Sequence, residues 1–138
     1  MYVDTNVFVY AMTHSERVKE ARLAKSILAR IAKGELEACT ASLAWDELVW
    51  AVKRIEGAEV AKMKGEEFLR FPNLKILGVD GVLDLAQKMI ETYDVGPRDA
   101  IHVACALRNG VKEIISDDRG LDAMKEINRI SLEKAAAR

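Results

Sequence analysis

The feature that most constrains this chain is a regular alternation of short apolar segments with longer segments of helical periodicity. Short strands are predicted at Tyr2-Val3 and over residues 36–40, 74–79, 113–115 and 127–130, with helical patterns between them. Strands that alternate with helices favour a parallel sheet covered on both faces. We therefore predict an α/β fold, a three-layer sandwich in which helices flank a small central parallel sheet of four to five strands.

Capping and breaking residues set the predicted helix boundaries. Thr13 and Glu16 have the spacing of a capping box, which would start a helix that Gly34 ends. Ser42 and Asp80 are predicted to cap two further helices, the first of which runs to about residue 55. Another helix is predicted over residues 58–69, and Pro97 is predicted in the first turn of a buried one.

Length and composition predict one folded domain. The chain has 138 residues, half of them apolar, so we expect a single domain over residues 1–130 and a C-terminal tail over 131–138. No apolar run is long enough to span a membrane. The two cysteines, Cys39 and Cys105, lie in apolar runs without metal-ligand spacing, which is typical of buried thiols in a reducing cytoplasm. The net charge of −1 gives no general attraction to nucleic acid, so such a ligand would need local contacts.

Acidic residues follow two of the predicted strands. Asp4 comes directly after the first strand, and Asp117 and Asp118 come directly after the fourth. Because functional sites of open parallel sheets lie beyond the carboxyl ends of the strands, these acids are placed where chemistry is expected. Aspartates also cap helices and form turns, so either position alone has an ordinary structural explanation.

Two more acids lie on predicted helices. Glu47 is on or beside an apolar stripe formed by Ala44, Leu48, Ala51 and Ile55, where a charge is costly unless it is paired or binds metal. A salt bridge is the alternative explanation for Glu47. Asp99 lies in the first turn of an apolar helix, where the helix dipole also favours an anion.

Four acids that converge would repel one another, and a divalent cation relieves that repulsion. Carboxylate ligands favour Mg²⁺ or Mn²⁺ over zinc. His14 and His102 have no ligand spacing, and we interpret both as structural or solvated. Arg98 and Arg119 flank two of the acids and are candidates for phosphate contacts, with surface ion pairs as the alternative.

The segments that carry these acids resemble a known family. The opening YVDTNVFVYA, then WDELVWA, PRDAIHVACAL and IISDDRGLD, in this order and spacing, resemble the PIN domain, and among its members the VapC-type toxin ribonucleases of toxin–antitoxin pairs. The similarity extends from Tyr2 to about Ile130. The resemblance implies a parallel sheet with a metal site at its carboxyl edge and Mg²⁺- or Mn²⁺-dependent cleavage of RNA.

The resemblance also implies roles for individual residues. Asp4, Glu47 and Asp99 match the three principal acids of the family. The fourth acid of the family usually follows a Thr or Ser by two residues, which selects Asp118 after Ser116, with Asp117 as the alternative. Asn6 stands where the family often has a small polar residue that hydrogen-bonds the site, and Thr5 is expected to support Asp4 through the backbone.

Three functions remain open from the sequence. The first is the toxin of a VapBC-type pair, with an antitoxin partner and a homodimer as family expectations. The second is a stand-alone RNA-processing PIN nuclease, and the third is a non-catalytic interaction module. Trp45, Val49 and Val52 form either an exposed apolar patch, which would favour a dimer, or a contact with the next helix.

Overall fold

A computed structural model describes residues 1–138 as three layers around a parallel sheet. The five strands lie in the order β3-β2-β1-β4-β5, and every neighbouring pair is parallel. The strands are β1 (Tyr2–Val3), β2 (Ala38–Ala41), β3 (Leu74–Leu77), β4 (Glu113–Ile115) and β5 (Asn128–Ile130). The predicted α/β fold class is confirmed.

Seven α-helices cover the two faces of this sheet. They are α1 (Thr5–Thr13), α2 (Lys19–Ala32), α3 (Leu43–Glu56), α4 (Ala58–Leu69), α5 (Leu83–Tyr93), α6 (Pro97–Arg108) and α7 (Leu132–Ala137), with a 3₁₀ helix at Arg119–Ala123. Successive strand residues point to opposite faces, so Val3 packs in the core on one side while Tyr2 packs on the other. The central strands β1 and β2 are buried at every position, as expected for a sheet covered on both faces.

Helix α1 was missed by the sequence prediction. The sequence predicted a very short strand at Tyr2-Val3 and no helix directly after it. Instead, the Asp4 side chain accepts a hydrogen bond from the Thr5 amide and caps a helix that begins immediately. Val7 and Phe8 are fully buried in the core on the α1 side of the sheet. The burial of these apolar side chains in the core thus stabilises a helix directly after β1.

Two predicted helix caps are wrong. Thr13 ends α1, and its hydroxyl donates to the Val9 carbonyl instead of capping the next helix, which begins at Lys19. Asp80 lies two residues before Val82, the N-cap position of α5. Ser42 is the N-cap residue of α3, but its side chain makes no capping bond. The boundaries at Ala58–Leu69 and at Pro97 agree with the prediction.

The inward stripe of α3 differs from the predicted one near its end. Ala44 and Leu48 are fully buried as expected, but Val52 is buried in place of Ile55, which is 56% exposed. Val49 and Trp45 face α4, where a Cβ at Gly65 would lie 2.9 Å from Val49 Cγ2 and 3.1 Å from Trp45 Nε1. Glycine is therefore needed at position 65, and these residues contact the next helix.

The C-terminal residues form α7, which packs against the domain. Leu132 and Ala135 are almost completely buried in the core on the α1 side, and Arg30 of α2 donates to the Ala135 carbonyl at 3.0 Å. No helix of the structure combines the length and the apolar character that a membrane crossing requires.

Candidate active site

A cleft of about 420 Å³ lies at the carboxyl edge of the sheet. It is lined by all four predicted acids, which come from four different parts of the chain: Asp4, Glu47, Asp99 and Asp118. The other lining residues are Thr5, Asn6, Val9, Tyr10, Trp50, Ala51 and Arg98. The fold therefore gathers acids that are as much as 114 positions apart in sequence.

Asp4 is held by three donors at the end of β1. Oδ1 accepts from the Thr5 amide at 2.7 Å, while Oδ2 accepts from the Ser116 hydroxyl at 2.6 Å and from Asn6 Nδ2 at 3.0 Å. Burial raises the pKa of Asp4, and its hydrogen bonds and the nearby His102 only partly offset that rise. Asp4 thus caps α1 and lines the cleft with the same carboxylate.

Glu47 is held by His102 and Thr5. Its Oε1 accepts hydrogen bonds from His102 Nε2 and from the Thr5 hydroxyl, the latter at 2.9 Å. Burial alone would raise the pKa of Glu47, but the bond and charge of His102 outweigh that effect and lower it. The predicted alternative of a lysine or arginine salt bridge is not observed, since the partner is a histidine.

Asp99 and Asp118 also line the cleft and have fewer hydrogen-bond partners than Asp4 and Glu47. Asp99 is partly buried in the first turn of α6 and accepts no hydrogen bond. Burial and the negative charges of Asp4 and Asp118 raise the pKa of Asp99. Asp118 is exposed, and its Oδ1 caps the 3₁₀ helix by accepting from the Gly120 amide at 2.8 Å.

Asp117 and Asp118 differ in where their side chains lie. Asp118 lines the cleft, whereas Asp117 is exposed outside it and accepts from the Tyr10 hydroxyl at 3.0 Å. Arg129, on β5, supports the loop that carries both residues by donating to the Ser116 carbonyl at 3.0 Å. The geometry thus favours Asp118 over Asp117 as the fourth acid of the cleft.

The two candidate arginines also differ. Arg98 lines the cleft and is exposed, and its guanidinium carbon lies 6.0 Å from the centre of the Trp50 ring. Arg119 is exposed in the 3₁₀ helix and does not line the cleft. Neither arginine forms an ion pair, so the surface-pair alternative is not observed for them.

Comparison with known proteins gives a family. The family model of the PIN domain matches residues 1–127, which is most of the chain. The chain belongs to the PIN domain family. No curated protein sequence matches it significantly. The resemblance inferred from the ordered acidic segments is therefore confirmed at the level of the family.

Solved structures share the fold of this PIN domain. VapBC2 from Rickettsia felis, bound to a promoter DNA fragment, has a TM-score of 0.71 at 17% identity, covering 94% of this chain and 96% of its own. A toxin–antitoxin complex from Klebsiella pneumoniae has a TM-score of 0.63 at 15% identity, covering 92% and 94%. VapC20 from Mycobacterium tuberculosis, described as a toxin that cleaves the sarcin–ricin loop, has a TM-score of 0.66 at 14% identity, covering 82% and 85%.

The donor set of the PIN-domain cleft fits a hard divalent cation by its chemistry. Four carboxylates face one cleft, and the raised pKa values of Asp4 and Asp99 show that burial and mutual repulsion penalise their negative charge. A bound cation would relieve that penalty. No three acid, histidine or cysteine side chains are grouped closely enough to form a preassembled metal site. Binding would therefore require the carboxylates to move toward one another.

Three residues of the PIN-domain site had no signal in the sequence. His102, interpreted from sequence as structural or solvated, is buried and contacts Glu47. Tyr2 contacts the other nitrogen of the His102 ring, and Arg129 supports the loop of Asp118. Each acts on residues that are distant in sequence, so spacing rules could not find them.

Proposed function

We propose that this PIN domain is a metal-dependent endoribonuclease and the toxin of a VapBC-type toxin–antitoxin pair. The observation that carries the proposal is the convergence of Asp4, Glu47, Asp99 and Asp118 in one cleft. The structures from Rickettsia felis and Klebsiella pneumoniae are of toxin–antitoxin assemblies, and VapC20 is described as cleaving the sarcin–ricin loop. Their similarity in fold supports the same activity here.

The acids have distinct proposed roles in this function. Asp4 and Asp99 would hold a principal Mg²⁺ or Mn²⁺, and Glu47 and Asp118 would complete that site or a second one. The bound cation supplies charge that neutralises the phosphate and makes water easier to deprotonate. Asn6 and Ser116 would act by orienting the Asp4 carboxylate through their hydrogen bonds.

The rim of the cleft has the character that an RNA strand requires. Arg98 is a free cation at the rim and is placed to bind phosphate. Trp50 is 52% exposed beside it, with the Arg54 guanidinium carbon 4.6 Å from its ring centre, and unpaired bases stack on exposed aromatic rings of this kind. Because the whole chain is nearly neutral, these local contacts must supply the affinity for RNA. Arg119 is a weaker candidate for the same task, because it lies outside the cleft lining.

An RNA cleavage assay tests the proposal. Labelled single-stranded RNA is incubated with the protein in Mg²⁺, in Mn²⁺ or with EDTA, and Asp4→Asn is compared with Asp46→Asn, an exposed acid of α3 outside the cleft. We expect cleavage only with metal, its loss in Asp4→Asn and its retention in Asp46→Asn. Equal cleavage by the wild type and Asp4→Asn would contradict the proposal.

The antitoxin is the partner that separates a toxin from a stand-alone RNA-processing nuclease. We propose that such a protein covers the cleft and that the toxin acts in the cytoplasm as a homodimer. The two buried free cysteines suit a reducing compartment. Co-expression with the product of a small adjacent reading frame should give a complex without ribonuclease activity. The absence of any such reading frame would favour the stand-alone nuclease.

A further inference from the structure

The carboxylate of Glu47 is held through only one of its two oxygens. Both of its protein donors, His102 Nε2 and the Thr5 hydroxyl, contact Oε1, and Oε2 accepts no hydrogen bond. Thr5 Oγ1 also lies 3.2 Å from His102 Nε2, so the three groups form a closed triangle. The arrangement fixes one oxygen and leaves the other available to a ligand in the cleft that Glu47 lines.

The other side of the His102 ring contacts a buried tyrosine. His102 Nδ1 lies 2.6 Å from the Tyr2 hydroxyl, and Tyr2 is fully buried in β1. The Tyr2 oxygen also accepts from the Ala41 amide at 3.0 Å. A backbone amide only donates, so the tyrosine proton remains free to be donated to Nδ1.

This contact determines which ring nitrogen carries a proton. When the ring is neutral, Nδ1 accepts from Tyr2, and the ring proton must be on Nε2, which faces Glu47. When the ring is protonated on both nitrogens, Nε2 still carries a proton. His102 therefore donates to Glu47 in either state of charge.

We propose that His102 is a positioning residue, oriented by Tyr2, which fixes one oxygen of Glu47 and presents the other to a divalent cation. The inference rests on the proposed function in one respect, because it takes Glu47 as a ligand of that cation. The path runs from the amide of Ala41 in β2 through Tyr2 in β1 and His102 in α6 to Glu47 in α3. Hydrogen bonds from outside a metal site commonly orient its ligands in this way.

A role in packing alone would not require these contacts. The neighbours of His102 on α6 are buried and apolar, among them Val103 and Ala106, and an apolar side chain would fill the same space. Burying an imidazole is costly unless its polar atoms are paired, and both of its nitrogens have partners here. His102 therefore donates to Glu47, an acid that lines the cleft, and not to a residue whose role is only structural.

The first test measures the tautomer of His102 by ¹⁵N NMR of the imidazole rings in the metal-free protein. The chain has only two histidines, and a His14→Gln variant assigns the other one. We expect His102 to be protonated on Nε2, and Tyr2→Phe, which removes the donor to Nδ1, to shift the Nδ1 resonance away from its hydrogen-bonded value. A wild-type ring with its only proton on Nδ1 would overturn the inference.

The second test measures Mn²⁺ affinity by calorimetry. We expect His102→Leu to weaken binding by about 10- to 100-fold, the usual effect of removing an orienting hydrogen bond. His102→Gln keeps an amide donor and should recover most of the affinity, while His14→Leu should not change it. In a Glu47→Gln background, His102→Leu should add little further loss, because the effect acts through Glu47.

The outcomes separate this inference from the proposed function. If His102→Leu weakens Mn²⁺ binding equally with and without Glu47, or does not weaken it in the wild type, the positioning role is wrong while the metal site stands. If the wild type binds no Mn²⁺, the proposed function is wrong, and the positioning role for a cation fails with it. The NMR measurement then still establishes whether His102 donates to Glu47.

Discussion

The four acids of the cleft are held in two different ways. Asp4 and Glu47 accept five hydrogen bonds from protein donors. We call these two residues the anchored pair. By contrast, Asp99 accepts none and Asp118 accepts one, from Gly120. These two residues are the open pair.

The difference shows which part of the site the fold determines. The anchored pair is fixed before any ligand arrives, because its donors come from helices α1 and α6 and from Ser116, which directly follows β4. The open pair has few competing partners, so a ligand can move its side chains at little cost. This difference agrees with the finding that no three of these side chains are grouped closely enough to form a preassembled metal site. The difference also predicts that variants of the anchored pair and variants of the open pair will behave differently.

After Asp4→Asn, for which loss of cleavage is expected, the largest effect on activity is expected from the removal of Asp99. Asp99→Asn removes a proposed ligand of the principal cation, and kcat/KM for RNA cleavage should fall by about 1,000-fold, equivalent to roughly 4 kcal/mol. Raising the Mn²⁺ concentration should partly restore the rate. Cleavage within a few-fold of the wild type at every metal concentration would show that the open pair is dispensable.

Ser116 connects the two pairs, and its removal should have the next largest effect. Its hydroxyl donates to Asp4 and accepts from Asn6 Nδ2 and from the Asp118 amide, both at 3.0 Å. We expect Ser116→Ala to reduce kcat/KM by about 10- to 100-fold, because Asp4 and the Asp118 loop both lose their support. Ser116→Thr keeps the hydroxyl and should retain activity. Equal losses in both variants would point to packing instead.

Asp118 and Asp117 are expected to differ although they are adjacent. Asp118→Asn removes an exposed cleft acid that is proposed to complete the metal site, so we expect a loss of roughly tenfold in kcat/KM, about 1.4 kcal/mol. Asp117→Asn keeps an acceptor for the Tyr10 hydroxyl and should change the rate little. The reverse order in the same assay would make Asp117 the fourth acid.

The smallest expected effect concerns stability. Because the pKa of Asp99 is raised in the folded state, its charged form destabilises the metal-free fold above that pKa, and the penalty is absent below the unfolded value. Asp99→Asn should therefore raise Tm at neutral pH, by no more than about 4 °C since solvent screens this half-exposed group. The gain should vanish as the pH falls through the raised pKa toward about 4.

Thermal unfolding with and without Mg²⁺ checks this effect. Asp80→Asn, which removes an exposed aspartate that does not line the cleft, controls for the change in net charge. Saturating Mg²⁺ should abolish the advantage of Asp99→Asn, because the cation stabilises the wild type. A lower Tm for Asp99→Asn without metal at neutral pH would contradict the account of the open pair.

Asp4, Asp118 and Glu47 were visible in the sequence for physical reasons. A charge beside an apolar helical stripe needs an explanation, and acids at the ends of parallel strands share one edge of the sheet. The strands and most helices followed from periodicity, and the family from the ordered acidic segments. Asp4 and Asp118 also cap helices, so each of these side chains has both a structural role as a cap and a place in the cleft.

What the sequence could not predict depends on long-range contacts. Helix α1 was missed because it is stabilised by burial of Phe8 against Phe68, with ring centres 5.1 Å apart, a contact that no local spacing shows. His102 was missed because its partners, Tyr2 and Glu47, are 100 and 55 residues away. A contact between residues so far apart in the sequence cannot be predicted from local spacing.

The central claim is that the anchored and open pairs together hold a divalent cation. Anomalous diffraction from crystals soaked in Mn²⁺ tests it most directly. We predict a manganese peak in the cleft, contacted by Asp4 and Asp99, with the Asp99 side chain moved toward Asp4. An empty cleft at Mn²⁺ concentrations that support RNA cleavage, or manganese bound only elsewhere on the surface, would contradict the account.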